Sequence, residues 1–406
     1  MRILMSIPAL AKGKGGAERI GSMIANYWAS RGENVAIVFN GKNKNISYPV
    51  DKGVQLFPSD YLCADITKLK QSREELLSFN ADVVLIFYAD LSLLKQYMIF
   101  RDFNCAIAAQ ECTNPGRAVR NIFRKFQGEL SLRICFHIRQ ILIGQLAGVR
   151  FTIPDYKNSL IKSIRKKGAA FYNSFPLSNN LSKKISLTRP RRMVCIGGLK
   201  DLNKNGLVAA AAFLSISQSF PNWELVYYGA NNFSKELKEL QKFPGGRRIR
   251  HLGFTNDITS MYLNSDFSVV CSFDEGNPNV VNEAMVFGIP TIGYSDCPGL
   301  RHLVKNKITG LLVNRNTEIS GLAAAMSFLM ENDTQRKIMG LHARRWAENH
   351  LDSLTYQRNW DNFLKKCYLS PNVDRKFDLE NLDQYQLFLQ NLAEYSFGIQ
   401  YDLLYN

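Results

Sequence analysis

Two glutamates, Glu275 and Glu283, stand eight residues apart in a segment whose composition changes from loop to helix. The segment reads Phe273-Asp274-Glu275-Gly276-Asn277-Pro278-Asn279-Val280-Val281-Asn282-Glu283-Ala284-Met285 and closes with Gly288-Ile289-Pro290. It follows an apolar run, Phe267–Ser272, that reads as a strand. Proline is favoured at the first helical position, so a helix is expected from about Pro278, and Gly288 falls where a helix C-terminus favours glycine. The first turn of such a helix presents unpaired backbone N–H groups, which together with the helix dipole attract an anion. One glutamate in the loop and one on the helix can reach opposite ends of a polyhydroxylated ligand. On spacing alone, a capped surface helix with two solvated glutamates is an equally good account.

Short β-branched or aromatic runs alternate with helical patterns through most of the chain, the rhythm of parallel α/β units. The expected strands of the first half are Arg2–Pro8, Val35–Phe39, Asp82–Tyr88, Cys105–Ala109, Arg150–Ile153 and Ala169–Tyr172. Between the first two, Ala17–Arg31 carries Ile20, Met23, Ile24 and Tyr27 on one helical face. A polar stretch with two prolines, Ser174–Arg191, is the expected linker. The rhythm then restarts with Met193–Gly197, a helix from about Asn205, Glu224–Tyr228, Ile249–Leu252, Phe267–Ser272, Thr291–Tyr294 and Gly310–Val313. The expected organisation is therefore two doubly wound α/β domains, 1–175 and 192–352, joined by a linker at 176–191 and facing a cleft, with a C-terminal segment at 353–406. Ligands of such sheets bind beyond the carboxyl ends of the strands. The helical run Leu354–Lys366 spaces Tyr356, Trp360 and Phe363 for packing, and the Leu-, Phe- and Tyr-rich tail Ser370–Asn406 reads as a docked helix.

The chain has 406 residues with 51 Lys+Arg against 35 Asp+Glu, a formal net charge of +16, which points to an anionic partner. Residues 1–175 carry 25 basic and 13 acidic residues, and 117–170 alone carry twelve basic against two acidic. Within that stretch, Arg120, Arg124, Lys125, Arg133 and Arg139 interleave with Ile122, Phe123, Phe126, Leu130, Ile134, Phe136 and Ile141. A basic amphipathic helix of this kind reads as a membrane-surface element, and the expected contact with acidic lipid spans residues 117–141. The alternative is a helix with a buried face and a solvated basic face. No helix-turn-helix, zinc-finger or RNP pattern supports nucleic acid as the partner. Eight cysteines without a CxxC pair read as buried thiols of a reducing compartment. The apolar start from Met1 is short, broken by Ser6 and Pro8, and runs into a Gly-rich turn, so a first strand is expected in preference to a secretion signal. No apolar run reaches the roughly 20 residues of a spanning helix, so a soluble or peripheral protein is expected. No Asp-x-Asp ends a strand, and His137, His251, His302, His342 and His350 form no ligand-like cluster, so neither a metal nor another cofactor is expected.

The Glu-x7-Glu segment with its Pro, Glu-Ala-Met and Gly-x-Pro elements resembles the signature of retaining GT-B glycosyltransferases of family 4, the bacterial group 1 type that uses nucleotide-sugars. The resemblance extends in family order. Gly15-Gly16-Ala17-Glu18-Arg19 follows the first strand, and Glu111-Cys112-Thr113-Asn114-Pro115 is similar to a Glu-Arg-Asn-x-Pro element with Cys112 at the arginine. Ile196-Gly197-Gly198-Leu199 with Lys204-Asn205 is similar to the Gly-Arg-Leu…Lys element, with Gly198 at the arginine. Lys200, Lys12 and Lys14 are candidates for the missing charge. Pro221–Leu225, Tyr228-Gly229, His251-Leu252-Gly253-Phe254 and Tyr262–Asp266 complete the pattern.

The resemblance implies that Lys204 holds the leaving diphosphate, Glu275 orients the donor sugar, and Glu283 accepts hydrogen bonds from the ribose hydroxyls. Backbone at Gly276, Asn277, Pro278, Asn279 and Val280 would meet donor hydroxyls or phosphate, and Gly253 and Phe254 would lie beside the base. Gly15, Gly16 and Glu111 would form an acceptor or diphosphate loop, and the C-terminal helix would return to the first domain. The implied function is a metal-independent, retaining transfer of a hexose or N-acetylhexosamine, from a UDP-sugar for preference, to a lipid-linked or surface glycan acceptor. This would occur in bacterial surface polysaccharide synthesis, in the cytoplasm at the inner face of the membrane. The departure at Gly198 keeps a non-catalytic nucleotide-sugar binder as the alternative, with a nucleic-acid-binding protein as the remote one.

Overall fold

Strands of three to six residues, the central ones apolar and buried along almost their whole length, build two all-parallel sheets, as strands covered by helices on both faces require. The computed structural model describes residues 1–7, 10, 15–41, 46, 48–59, 66–87, 92–101, 103–115, 139–175, 190–197, 203–229 and 234–370. The chain divides into two units, Met1–Phe171 with Gln357–Asn406, and Tyr172–Tyr356. The first division falls ahead of the expected boundary at 175. Residues 176–189 of the expected linker, 117–138 of the expected membrane helix and 371–406 of the tail lie outside the described residues.

In the first unit, strands β1 (Arg2–Ser6), β2 (Asn34–Phe39), β3 (Gln55–Pro58), β4 (Val83–Phe87), β5 (Ala106–Glu111), β6 (Gly148–Phe151) and β7 (Gly168–Ala170) lie in the order β3-β2-β1-β4-β5-β6-β7. The edge strand β3 was not expected; it is half-buried and ends in proline, so it shows neither a continuous apolar run nor a clean alternation. The order reverses between β1 and β4, the switch point at whose carboxyl end a doubly wound sheet opens a crevice. The C-terminal helix Ser353–Tyr368 docks in this unit through Trp360, which is fully buried and meets Trp28 and Phe171 edge-on at 5.8 and 5.4 Å. Asp361 accepts hydrogen bonds from Tyr27 Oη at 2.7 Å and Trp28 Nε1 at 3.1 Å. Gly148 allows the close approach: a Cβ there would sit 2.7 Å from Cys367 Sγ.

In the second unit, β8 (Arg191–Ile196), β9 (Trp223–Tyr228), β10 (Ile249–His251), β11 (Phe267–Val270), β12 (Thr291–Tyr294) and β13 (Gly310–Val313) lie in the order β10-β9-β8-β11-β12-β13. Sequence order reverses between β8 and β11. The loops leaving the carboxyl ends of these two neighbouring strands carry Lys204 and Glu275.

Candidate active site

Beyond β8, Lys204 packs against Gly197. Gly197 adopts φ +130°, and a side chain there would press on the Lys204 stem, with Cγ at 3.2 Å. Asn205 follows in the left-handed region (φ 49°) and caps the helix Gly206–Ile216. The loop after β11 is fastened to the first loop by Asn203. Phe273 N–H donates to Asn203 O at 2.8 Å, Asp274 N–H to Asn203 Oδ1 at 3.2 Å, and Asn203 Nδ2 to Asp274 O at 3.0 Å. With both loops tied, Lys204 Nζ donates to Glu275 Oε1 at 2.5 Å, a short charge-assisted contact. The lysine side chain is 32% exposed and the glutamate 13%, so the pair is open to a ligand while its carboxylate is largely shielded from bulk water. Burial pushes the nearby Cys195 thiol up to about 12, against the pull of the Lys204 charge, and the Cys297 thiol to about 12 as well. Both stay protonated at neutral pH and are poor nucleophiles.

A third side of the Glu275 loop is held by Gly299. Its N–H donates to Glu275 O at 3.2 Å, and a Cβ at this position would lie 2.5 Å from Gly276 O. The motif helix runs Asn279–Val286, with Pro278 as its N-cap at φ −67°, ψ 110°. Pro278 thus precedes the first helical position where the sequence pattern put it. Asn282 Nδ2 donates to Asn277 Oδ1 at 2.5 Å, and Asn173 Nδ2 donates to Asn279 Oδ1 at 3.0 Å, so the Asn277–Asn279 turn is pinned from two directions. Glu283, on the same helix, is 4% exposed, and its Oε2 accepts from Tyr262 Oη at 3.0 Å. Tyr262 is itself fixed by a second bond to Val280 O and by stacking on Phe287 at 5.3 Å. Gly253 has φ +75°, its carbonyl accepts from Gly229 N–H, and Phe254 beside it is exposed. Gly198 and Lys200 lie outside the described residues, as do Lys12 and Lys14. Among the described residues, no group of three His, Cys, Asp or Glu is placed to hold a metal ion.

In the first unit, Gly15 is the N-cap of the helix Gly16–Ser30, and the buried Glu18 folds back over it, so that a Cβ on Gly15 would lie 2.6 Å from Glu18 Oε2. Glu111, two residues beyond the expected end of its strand, is the last residue of β5 and 1% exposed. Its Oε2 accepts from Arg139 Nη2 at 3.0 Å and its Oε1 from Thr113 Oγ1 at 3.3 Å. This corrects the sequence reading of Arg139, which is 5% exposed and paired, and so belongs neither to a lipid-facing nor to a solvated basic face. The sequence reading gave no role to Asn203, Tyr262, Asn282 or Gly299, although Tyr262 and Asn282 stand in the quoted patterns and Gly299 directly follows a proline at a strand-to-helix turn.

The fold these elements define is GT-B: α/β, with two parallel sheets and their helices. Residues 180–346 match the family described as glycosyl transferases group 1. A Haemophilus influenzae protein described as an uncharacterized glycosyltransferase is 22% identical over 355 residues, spanning 83% of this chain and 92% of its own length. A Campylobacter jejuni alpha-1,4-N-acetyl-D-galactosaminyltransferase, named for an acceptor on PP-undecaprenol, is 26% identical over 181 residues, 44% of this chain and 50% of its own. Among solved structures, Anabaena HepE in complex with UDP superposes with a TM-score of 0.70 at 17% identity, covering 90% of this chain and 100% of that one. The family match and the two relatives support a glycosyltransferase, and the solved structure shows the GT-B fold. Among the described residues, no helix is long and apolar enough to cross a membrane.

Proposed function

We propose that this chain is a retaining glycosyltransferase that moves a hexose or N-acetylhexosamine from a UDP-sugar to a lipid-linked glycan acceptor in bacterial surface polysaccharide synthesis. The observation that carries the reading is the Lys204–Glu275 contact at the carboxyl ends of β8 and β11, mounted by Asn203 and Gly299. Lys204 supplies the positive charge that stabilises the departing diphosphate, aided by backbone N–H groups at the start of the helix Asn279–Val286. Glu275 orients the donor sugar. Glu283, held by Tyr262, accepts from the ribose hydroxyls, and the nucleotide base lies by Gly253 and Phe254. The acceptor attacks on the face that the diphosphate leaves, so the anomeric configuration is kept, and no step calls on a metal. The UDP complex of HepE supports the choice of nucleotide, and the PP-undecaprenol acceptor in the Campylobacter protein's name supports a lipid-linked one. Peripheral contact with the acidic inner face of the cytoplasmic membrane follows from the basic bias of residues 117–138.

The test is turnover of radiolabelled UDP-sugars with lipid extracts as acceptor. Glu275→Ala abolishes transfer, and Lys204→Met lowers kcat by on the order of 10²–10³, the usual effect of removing one transition-state donor. Tight UDP-sugar binding by the native chain, with no turnover on any extract, would refute the enzyme reading in favour of a non-catalytic binder.

A further inference from the structure

Arg139 lies in the helical residues described over 139–145, its side chain 6% exposed, against the residue that ends β5. Glu111 holds it through Nη2, yet Nε and Nη1 are also buried and have no hydrogen-bond acceptor among the described residues. Three N–H hydrogens of a charged guanidinium are thus withdrawn from water without a partner. That is disfavoured for any polar group and more so for a charged one. Stability does not explain the arrangement, because replacing a buried ion pair by apolar side chains is often neutral or favourable. The carboxyl edge of a parallel sheet is where ligands bind, which does explain it. The Glu111 carboxylate is already engaged by Arg139 and Thr113, so the groups left to meet a ligand are donors. The complement of several N–H donors on a planar fork is an oxyanion with several acceptor oxygens.

We propose that Arg139 receives a phosphate or diphosphate group of the substrate, with Glu111 as the residue that positions its guanidinium. The proposal rests on the glycosyltransferase reading and extends it to the first unit. Two substrates carry such a group, the lipid-linked acceptor and the nucleotide-sugar donor. The residues given donor roles in the proposed function, Lys204, Gly253, Phe254, Glu275 and Glu283, all lie in the other unit, which favours the acceptor.

Titration calorimetry on the full chain tests this with farnesyl diphosphate as a soluble polyprenyl diphosphate, farnesol as its neutral counterpart, and UDP. Farnesyl diphosphate binds and farnesol does not. Arg139→Gln weakens farnesyl diphosphate at least tenfold and leaves UDP unchanged, and Arg139→Lys, which keeps the charge but not the fork, falls between. A tenfold loss of UDP affinity with farnesyl diphosphate unchanged keeps the oxyanion site and assigns it to the donor. Glu111→Leu combined with Arg139→Met loses oxyanion binding and melts no lower than the native chain. A double variant that melts far lower makes the pair structural and overturns the proposal. So does an Arg139→Gln chain that binds both diphosphates as tightly as the native one, or a native chain that binds farnesyl diphosphate no better than farnesol. Absence of UDP binding and of all sugar transfer in the native chain would count against the glycosyltransferase reading itself, whatever Arg139 does.

Discussion

Replacing Gly299 by alanine is expected to disable transfer by moving Glu275 without touching it. The new Cβ would stand 2.5 Å from Gly276 O, 2.7 Å from Glu275 O and 3.0 Å from Glu275 C. All three are backbone atoms, so no side chain can swing aside, and the loop must retreat by about 0.5 Å to restore even a 3.0 Å contact. The retreat also stretches the 3.2 Å bond from Gly299 N–H to Glu275 O. Overpacking of this kind costs about 1–3 kcal/mol, and each kcal/mol lowers the melting temperature of a unit this size by about 2–4 °C. The kinetic effect is larger, because misplacing a group by about 1 Å at a reacting centre costs on the order of a hundredfold in rate. Steady-state transfer from a UDP-sugar, run beside thermal melts, separates the two effects. Gly32→Ala is the matched control: Gly32 has φ +81° with nothing within 4 Å of a Cβ, so its replacement strains the backbone but leaves kcat alone. A Gly299→Ala enzyme that melts lower yet turns over at the native kcat would refute the idea that this contact positions Glu275.

Trp360→Ala should destabilise the first unit by about 3–5 kcal/mol, the usual range for a buried tryptophan, because Trp28, Phe171 and Phe363 all pack on its ring. Chemical denaturation followed by Trp28 fluorescence checks it, and a loss under about 1 kcal/mol would mean the helix Ser353–Tyr368 is not held through this residue. Burial alone would raise the Asp82 carboxyl, but bonds from Arg2 N–H and Nη2 at 2.7 and 2.9 Å, with the arginine charge, hold it below its ordinary value of 3.8. A depressed carboxylate contributes stability that is present above its unfolded pKa and lost as pH falls through the folded one. Urea midpoints measured from pH 6 down to 3 should therefore drop less steeply in Asp82→Asn than in the native chain, and parallel curves would contradict the assignment.

Most of the fold was legible because parallel strands buried on both faces are continuous apolar runs. Val83–Phe87 and Phe267–Val270 are found by that pattern alone. Gln55–Pro58 escaped because an edge strand buries little and carries no such run. The Glu275 loop was legible from its glycine, proline and paired glutamates; Lys204, 71 residues away, entered only by family resemblance, and its contact with Glu275 was not read from the sequence. Arg139 was misread for a physical reason. Helical periodicity assigns a basic residue to water or lipid unless its counter-ion is known, and Glu111 is 28 residues away on a strand. Asn203 and Gly299 act through contacts with the backbone of a loop some seventy and some twenty residues away, which spacing along the chain does not reveal.

Two kinds of charge pair are told apart by their surroundings. Glu224, on β9, accepts from Arg192 on β8 and Arg250 on β10, a ladder across three neighbouring strands in which each charge has a local partner. Such a ladder needs no ligand to be complete. Lys204–Glu275 and Arg139–Glu111 stand instead at the carboxyl ends of strands, and Arg139 keeps buried donors without acceptors among the described residues. Charges placed this way add little to stability and forgo hydration. Their presence at the ligand-binding edge of each sheet is best explained by groups that arrive with the substrates. The excess positive charge of the first unit thus includes a buried arginine at the carboxyl end of a strand, Arg139, set to recognise an anion.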